Sequence, residues 1–183
     1  MNPSANLVLV GPMGAGKTSI GRRLAERFNL PFVDADREIE AHTGATVATI
    51  FECEGESGFR LRERTLLAAL LHGSGHVIAT GGGAVLDPDN RRLLREHGFV
   101  VHLHADVAAQ LARLVRDRTR PLLQREDREE VLQALARNRA PLYAEVADLY
   151  YDTSRQSCSE AAGQLAVLLS EQWQRRAAPQ DAA

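Results

Sequence analysis

Cysteine is scarce in this chain of 183 residues: there are only Cys53 and Cys158, far apart and forming no C-x-x-C. A redox pair or a disulfide framework therefore has no support, and two reduced thiols in a cytosolic protein are expected. An excess of one charge is lacking too. Net charge is −2, with a pI near 6.3, so no basic field argues for nucleic acid or an anionic membrane as a partner. No apolar run approaches the length of a membrane span. Met1-Asn2-Pro3-Ser4 supplies neither a charged n-region nor an h-region, and a strand pattern starts almost at once. No secretory leader is expected, and a cytoplasmic location is. There is no internal repeat, no linker and no N-K-x-D guanine motif. The length suits one domain with a full core, expected over residues 1–175. The Ala-, Pro- and Gln-rich residues 176–183 are expected to be disordered.

What is present is organised around Leu7 to Ile20, LVLVGPMGAGKTSI. The run Leu7 to Val10 has no polar alternation, as expected of a strand buried on both faces of a parallel sheet. Gly11 to Thr18 fits the phosphate-loop pattern G-x-x-x-x-G-K-[ST]. Ile20, Leu24 and Phe28 then recur four apart, on one face of a helix. In that setting Gly11, Gly14 and Gly16 let the backbone turn its N–H groups onto phosphate oxygens. The helix N-terminus adds partial positive charge, Lys17 can reach the β- and γ-phosphates, and Thr18 offers a hydroxyl to Mg²⁺. The chain is expected to bind a nucleoside triphosphate.

Further along, Leu30 to Val33 reads as a strand ending in Asp34-Ala35-Asp36. Open α/β sheets place ligands at such strand ends. Asp34 is assigned to the magnesium shell, through water, and Asp36 to the phosphoryl acceptor, although Asp36 could also cap a helix opening at Arg37. Ile39 to Phe51 reads as helical with a break at Gly44, Glu54 to Gly58 as a loop, and Phe59 to about His72 as a helix. Arg60 near that helix start opposes the dipole, which an anionic ligand would explain. His76 to Thr80 is strand-like and ends in Gly81-Gly82-Gly83, as if a ligand approached the backbone closely. Asp87 and Pro88 open a helix. Phe99 to Leu103 is a strand, with His102 and His104 read as sheet residues rather than metal ligands. Helices are expected over 106–115, 129–139 and from Ser159, as N-cap, to about Trp173, with a strand at Leu149 to Tyr151. The run Arg113 to Arg128 is rich in arginine, like a solvated loop or a lid that closes over a triphosphate.

The pieces GPMGAGKTS, FVDAD, GFRLRE, ATGGGAV, RDRTRPLL and NRAPLYAEVAD together resemble the shikimate kinase family, from Leu7 to about Gln156. The resemblance implies an α/β, three-layer, doubly wound P-loop kinase. Its five-stranded parallel sheet has the phosphate-loop strand in the middle, and it carries a mobile lid at about 114–126 and an acceptor region at about 34–62. It implies transfer of the γ-phosphate of MgATP to the 3-hydroxyl of shikimate, in the route to aromatic amino acids. Carried over by position, Gly14, Ala15, Gly16, Lys17, Thr18 and Ser19 hold phosphates, with Thr18 and Asp34 at Mg²⁺. Asp36 contacts the reacting diol, and Arg60, Arg139 and the Gly82 backbone hold the rest of shikimate. Arg120 comes from the lid onto the phosphates, so Lys17, Asp36 and Arg120 form the catalytic set. Arg113 and the Arg155-Gln156 turn lie where that family contacts adenine. A monomer is expected.

A carboxylate on a small ring suits bidentate guanidinium groups, and two arginines on separate elements can fix its orientation. Phosphoryl transfer asks a protein mainly for alignment and charge neutralisation. The rivals are another small-metabolite kinase of the same type, such as a gluconate kinase, and a non-catalytic ATP-binding module. The first needs other residues in place of Asp36, Arg60 and Arg139; the second needs a lost Lys17, Thr18 or acidic partner.

Overall fold

The structure is a computed structural model, describing residues 4–115 and 127–174. Five parallel strands form one sheet: β1 (Asn6–Val10), β2 (Phe32–Asp34), β3 (Val77–Ala79), β4 (Gly98–His104) and β5 (Leu149–Asp152). Their order is β2-β3-β1-β4-β5, so the strand before the phosphate loop is central as expected. Every residue of β1 is buried, which is why its sequence shows no alternation. Its successive side chains still face opposite layers. Leu7 and Leu9 pack with Ile20 and Leu24 of α1 (Lys17–Phe28) and with Leu165 and Leu169 of α7 (Cys158–Gln172). Val8 and Val10 pack on the other side, against α3 (Val47–His72), α4 (Pro88–His97) and α6 (Arg128–Val146). Two short helices, α2 (Ala35–Thr43) and α5 (Val107–Leu114), and a 3-10 turn at Ala84–Leu86 complete the described elements. No helix among the described residues is long and apolar enough to cross a membrane.

Several boundaries differ from the sequence reading, each for a local reason. The expected loop at Glu54 to Gly58 is a one-residue break within α3, because Gly55 alone absorbs the turn at φ 72°. Arg62 closes over the break onto Glu54, with contacts of 2.7 and 3.0 Å. The helix restarts directly after Gly55, so Arg60 lies about one turn into the restarted helix, near its start as expected but past the first turn, where the dipole acts most strongly. Similarly, α6 does not end near Arg139 but runs on through Pro141 to Val146. Pro141, which has no N–H for the Arg137 carbonyl, is exposed, as is Arg137, while Tyr143 and Val146 anchor the last turns in the core. Two caps also shift. Asp34, not Asp36, caps α2, and Ser157, not Ser159, caps α7 in a capping box with Glu160. The cap at Asp87 stands where it was expected, and Asp106, expected as the first residue of a helix, is the N-cap of α5.

Candidate active site

The chemistry-bearing residues gather where the strands end. The loop after β1 turns onto α1 at Gly16, whose φ of 91° is open to glycine. Gly11 has no room for a side chain, since a Cβ there would meet the Leu103 carbonyl. Lys17 opens α1, and its Nζ rests on the carbonyls of Gly11 and Pro12, at 2.7 and 2.8 Å. Those carbonyls fix the ammonium over the loop that its own backbone forms. Ala15 is buried, whereas Gly14, Gly16, Lys17 and Thr18 are partly open and Ser19 is exposed.

Thr18 and Asp34 are brought together: the Thr18 hydroxyl donates to the Asp34 carboxylate at 2.7 Å. No group of three or more His, Cys, Asp or Glu able to hold a metal occurs among the described residues. That donor set, one hydroxyl and one carboxylate beside a phosphate loop, fits a hard cation which keeps several waters and binds substrate phosphates. Asp34 also accepts from the Arg37 N–H at 3.4 Å as the cap of α2. One side chain therefore serves a helix end and the mouth of the loop.

The three glycines after β3 face three different neighbours. A Cβ on Gly81 would come within 2.8 Å of Asp36 Oδ1 and 2.9 Å of Glu63 Oε1. One on Gly82 would stand 3.5 Å from Arg139 Nη1, and one on Gly83 would fall inside the Arg60 guanidinium. So Asp36 from α2, Arg60 from α3 and Arg139 from α6 converge on one short backbone stretch. Close approach was the expected reason for these glycines; at Gly81 and Gly83 the approaching groups are the protein's own charged side chains.

Arg60 is held by acids of its own helix: Glu63 Oε2 at 2.6 Å and Glu56 Oε1 at 3.1 Å. Burial works against the Arg60 charge, but the Glu63 and Glu56 carboxylates more than offset it and raise its pKa. Glu63 is fully buried, and burial pushes its carboxyl up despite the pull of Arg60. Arg60 is thus a permanent cation whose position is set before any ligand arrives. Tyr143, one helical turn beyond Arg139, is also buried, and its hydroxyl donates to the Gly82 carbonyl at 2.6 Å. Sequence reasoning gave no role to Glu63 or Tyr143. The available signal was spacing, since each lies three or four residues beyond an assigned arginine, on the same helix face.

On the far side of the loop, Arg113 donates to the Gly14 carbonyl at 2.9 Å and to the backbone at Thr153 and Gln156. It ties the phosphate loop to the turn after β5. Gln156 is turned inward, its amide oxygen accepting from Tyr151 at 2.8 Å and its nitrogen donating to Gln164 at 3.0 Å. Arg120 and most of the expected lid lie outside the described residues. His102 and His104 are strand residues as expected, with His102 buried beside the Tyr143 ring at 4.8 Å.

A family model described as shikimate kinase matches residues 13–170. A shikimate kinase of Stenotrophomonas maltophilia (strain R551-3) is 60% identical over 176 residues, covering 96% of this chain and 98% of its own length. One from Xanthomonas oryzae pv. oryzae (strain PXO99A) is 56% identical over 179 residues, covering 98% and 99%. Among solved structures, shikimate kinase from Acinetobacter baumannii in complex with shikimate matches with a TM-score of 0.87. It is 47% identical, over 93% of this chain and 96% of that one.

Proposed function

The chain belongs to the shikimate kinase family, and from that premise we propose how its residues share the transfer of phosphate from ATP to the 3-hydroxyl of shikimate. The observation that carries the reading is the convergence of Arg60, Arg139 and Asp36 on Gly81 to Gly83, beside the phosphate loop. A ring with one carboxylate and several hydroxyls needs such a set. Two guanidinium groups on separate helices grip the carboxylate and fix the ring. Asp36 and the Gly82 backbone then meet hydroxyls.

On the donor side, the Gly14 to Ser19 backbone cradles phosphates at the N-terminus of α1. Lys17 exchanges its carbonyl partners for phosphate oxygens. Thr18 and Asp34 would hold Mg²⁺, which when bound would neutralise phosphate charge. Arg113 supports the loop and the turn next to adenine, and Gln156 acts there through that turn. Arg120 supplies a further cation from the segment at about 114–126, which we propose as a lid. Asp36, next to the acceptor hydroxyl, orients it and can accept its proton. The working unit is residues 1–175 as a monomer, with no role for nucleic acid or membrane. Its two free thiols suit the cytoplasm.

Coupled ADP release with shikimate, gluconate and nucleoside monophosphates as acceptors tests the reading. Turnover is expected with shikimate alone, in a Mg²⁺-dependent manner. Comparable kcat/KM on gluconate or a nucleotide would overturn the acceptor assignment.

A further inference from the structure

The Tyr143 hydroxyl has a place in the acceptor site that the reaction as described does not use. Tyr143 lies one turn beyond Arg139 on α6, so both side chains leave the helix on one face. The ring is buried, with His102 beside it at 4.8 Å and an interplanar angle of 31°. Its hydroxyl donates to the Gly82 carbonyl at 2.6 Å. Arg139 Nη1 stands against the same residue, 3.5 Å from where a Gly82 Cβ would be. Tyr143 therefore ends on the piece of backbone that faces the guanidinium. Burial pushes the Tyr143 hydroxyl up to about 12 although Arg139 pulls the other way. The proton stays on at working pH, and the group remains a donor.

A peptide unit is planar, with its C=O and the following N–H pointing in opposite directions. Holding the Gly82 carbonyl toward α6 thus aims the Gly83 N–H away from α6. We propose that Tyr143 is a positioning residue for the acceptor, locking the Gly82 peptide to the face of α6 that carries Arg139. The Gly82–Gly83 peptide and one arm of the carboxylate clamp are then set as one unit. This rests on the acceptor-site reading given above.

Tyr143→Phe keeps the ring beside His102 and removes only the hydroxyl. The expected result is a rise of about tenfold in KM and Kd for shikimate, the scale of one lost aligning hydrogen bond. KM for ATP and Kd for ADP are expected to stay within about twofold. In Arg139→Lys plus Tyr143→Phe, the shikimate defect is expected to be smaller than the product of the single defects, because both disturb one unit. An unchanged shikimate KM in Tyr143→Phe, or fully multiplicative defects in the double variant, would overturn the assignment. So would a Tyr143→Phe protein that also loses ADP binding, since the hydroxyl would then support the fold. Arg139→Lys alone separates the two readings. If it leaves shikimate affinity intact, the acceptor-site reading falls and takes this one with it. If it weakens shikimate binding while Tyr143→Phe does not, only the positioning role of Tyr143 falls.

Discussion

Gly81, Gly82 and Gly83 follow one another without a left-handed φ among them, so their missing side chains serve space, not backbone freedom. At Gly83 the space belongs to the Arg60 guanidinium. A methyl group there displaces the end of a flexible side chain and not backbone, so the fold is expected to survive while the clamp does not. Gly83→Ala is predicted to keep its Tm within about 4 °C, the shift from about 1 kcal/mol in a domain of this size. It is predicted to raise shikimate KM by roughly tenfold or more at unchanged ATP KM. A thermal melt beside steady-state kinetics reads both, and an unchanged shikimate KM would show that Arg60 does not need its present position. Arg60 itself separates charge from geometry. Arg60→Lys keeps a cation beside Glu63 but loses the planar fork, so shikimate affinity should drop more than about tenfold with modest loss of stability. Arg60→Ala also leaves the buried Glu63 carboxylate without its ion pair, at a cost of about 3 kcal/mol. Urea unfolding of the two variants tests this ranking. Equal stability would mean that the Glu63 pair does little for the fold.

At the scale of elements, strand β1, the phosphate loop and α1 were legible because motif, apolar run and helical spacing all point the same way. The helices were harder. A Glu-Gly-Glu-Ser-Gly run looks like a loop by composition, yet Gly55 alone takes the turn and the helix resumes. Pro141 looks like a stop, yet buried Tyr143 and Val146 carry α6 past it. Both are cases in which tertiary packing overrides local preference, and a single sequence does not display that packing. The caps failed by two residues because Asp34 and Asp36, like Ser157 and Ser159, are equally good candidates on residue type. Placing the cap at Asp34 has a functional consequence, since the same carboxylate accepts from Thr18. Asp34→Asn keeps a cap oxygen and a partner for Thr18 but removes the charge. Its Tm should fall by no more than about 4 °C, while the Mg²⁺ needed for half-maximal turnover rises by about tenfold. Asp34→Ala should lose about 1 kcal/mol of stability as well. If Asp34→Asn shows the wild-type Mg²⁺ dependence, Asp34 serves as a cap only.

Over the whole molecule, residues alone pointed to a parallel α/β sheet, and strand order came only with the family resemblance. Order depends on which crossovers pass over which face, which no periodicity records. The gathering of Arg60, Arg139 and Asp36 at one site was likewise legible only through that resemblance, as two guanidinium groups for a carboxylate and one carboxylate for hydroxyls. Burial of His102 was not legible at all, because alternate positions in β4 look alike until a helix covers one face. That histidine ties global stability to pH. Burial, then the nearby positive charges of His104 and Lys17, lowers its pKa to about 4, against 6.5 for the free side chain. Tyr143 and Arg139 of α6 lie near it, and Tyr150 of β5 packs on its edge. The unfolded chain protonates this residue near pH 6.5 and the folded chain only near pH 4, so acid favours unfolding. Its contribution is fully present above about pH 6.5 and is lost as pH falls toward 4, up to about 3 kcal/mol. Glu63 acts in the opposite sense, since its raised pKa makes the folded state take up a proton more readily. Replacing the imidazole by an apolar ring, His102→Phe, should therefore flatten the acid limb without reversing the Glu63 effect. Urea unfolding at intervals from pH 7 to pH 4.5 measures it. Wild type should lose stability across that range, and His102→Phe should lose distinctly less. Parallel curves for the two proteins would place the acid sensitivity in some other group.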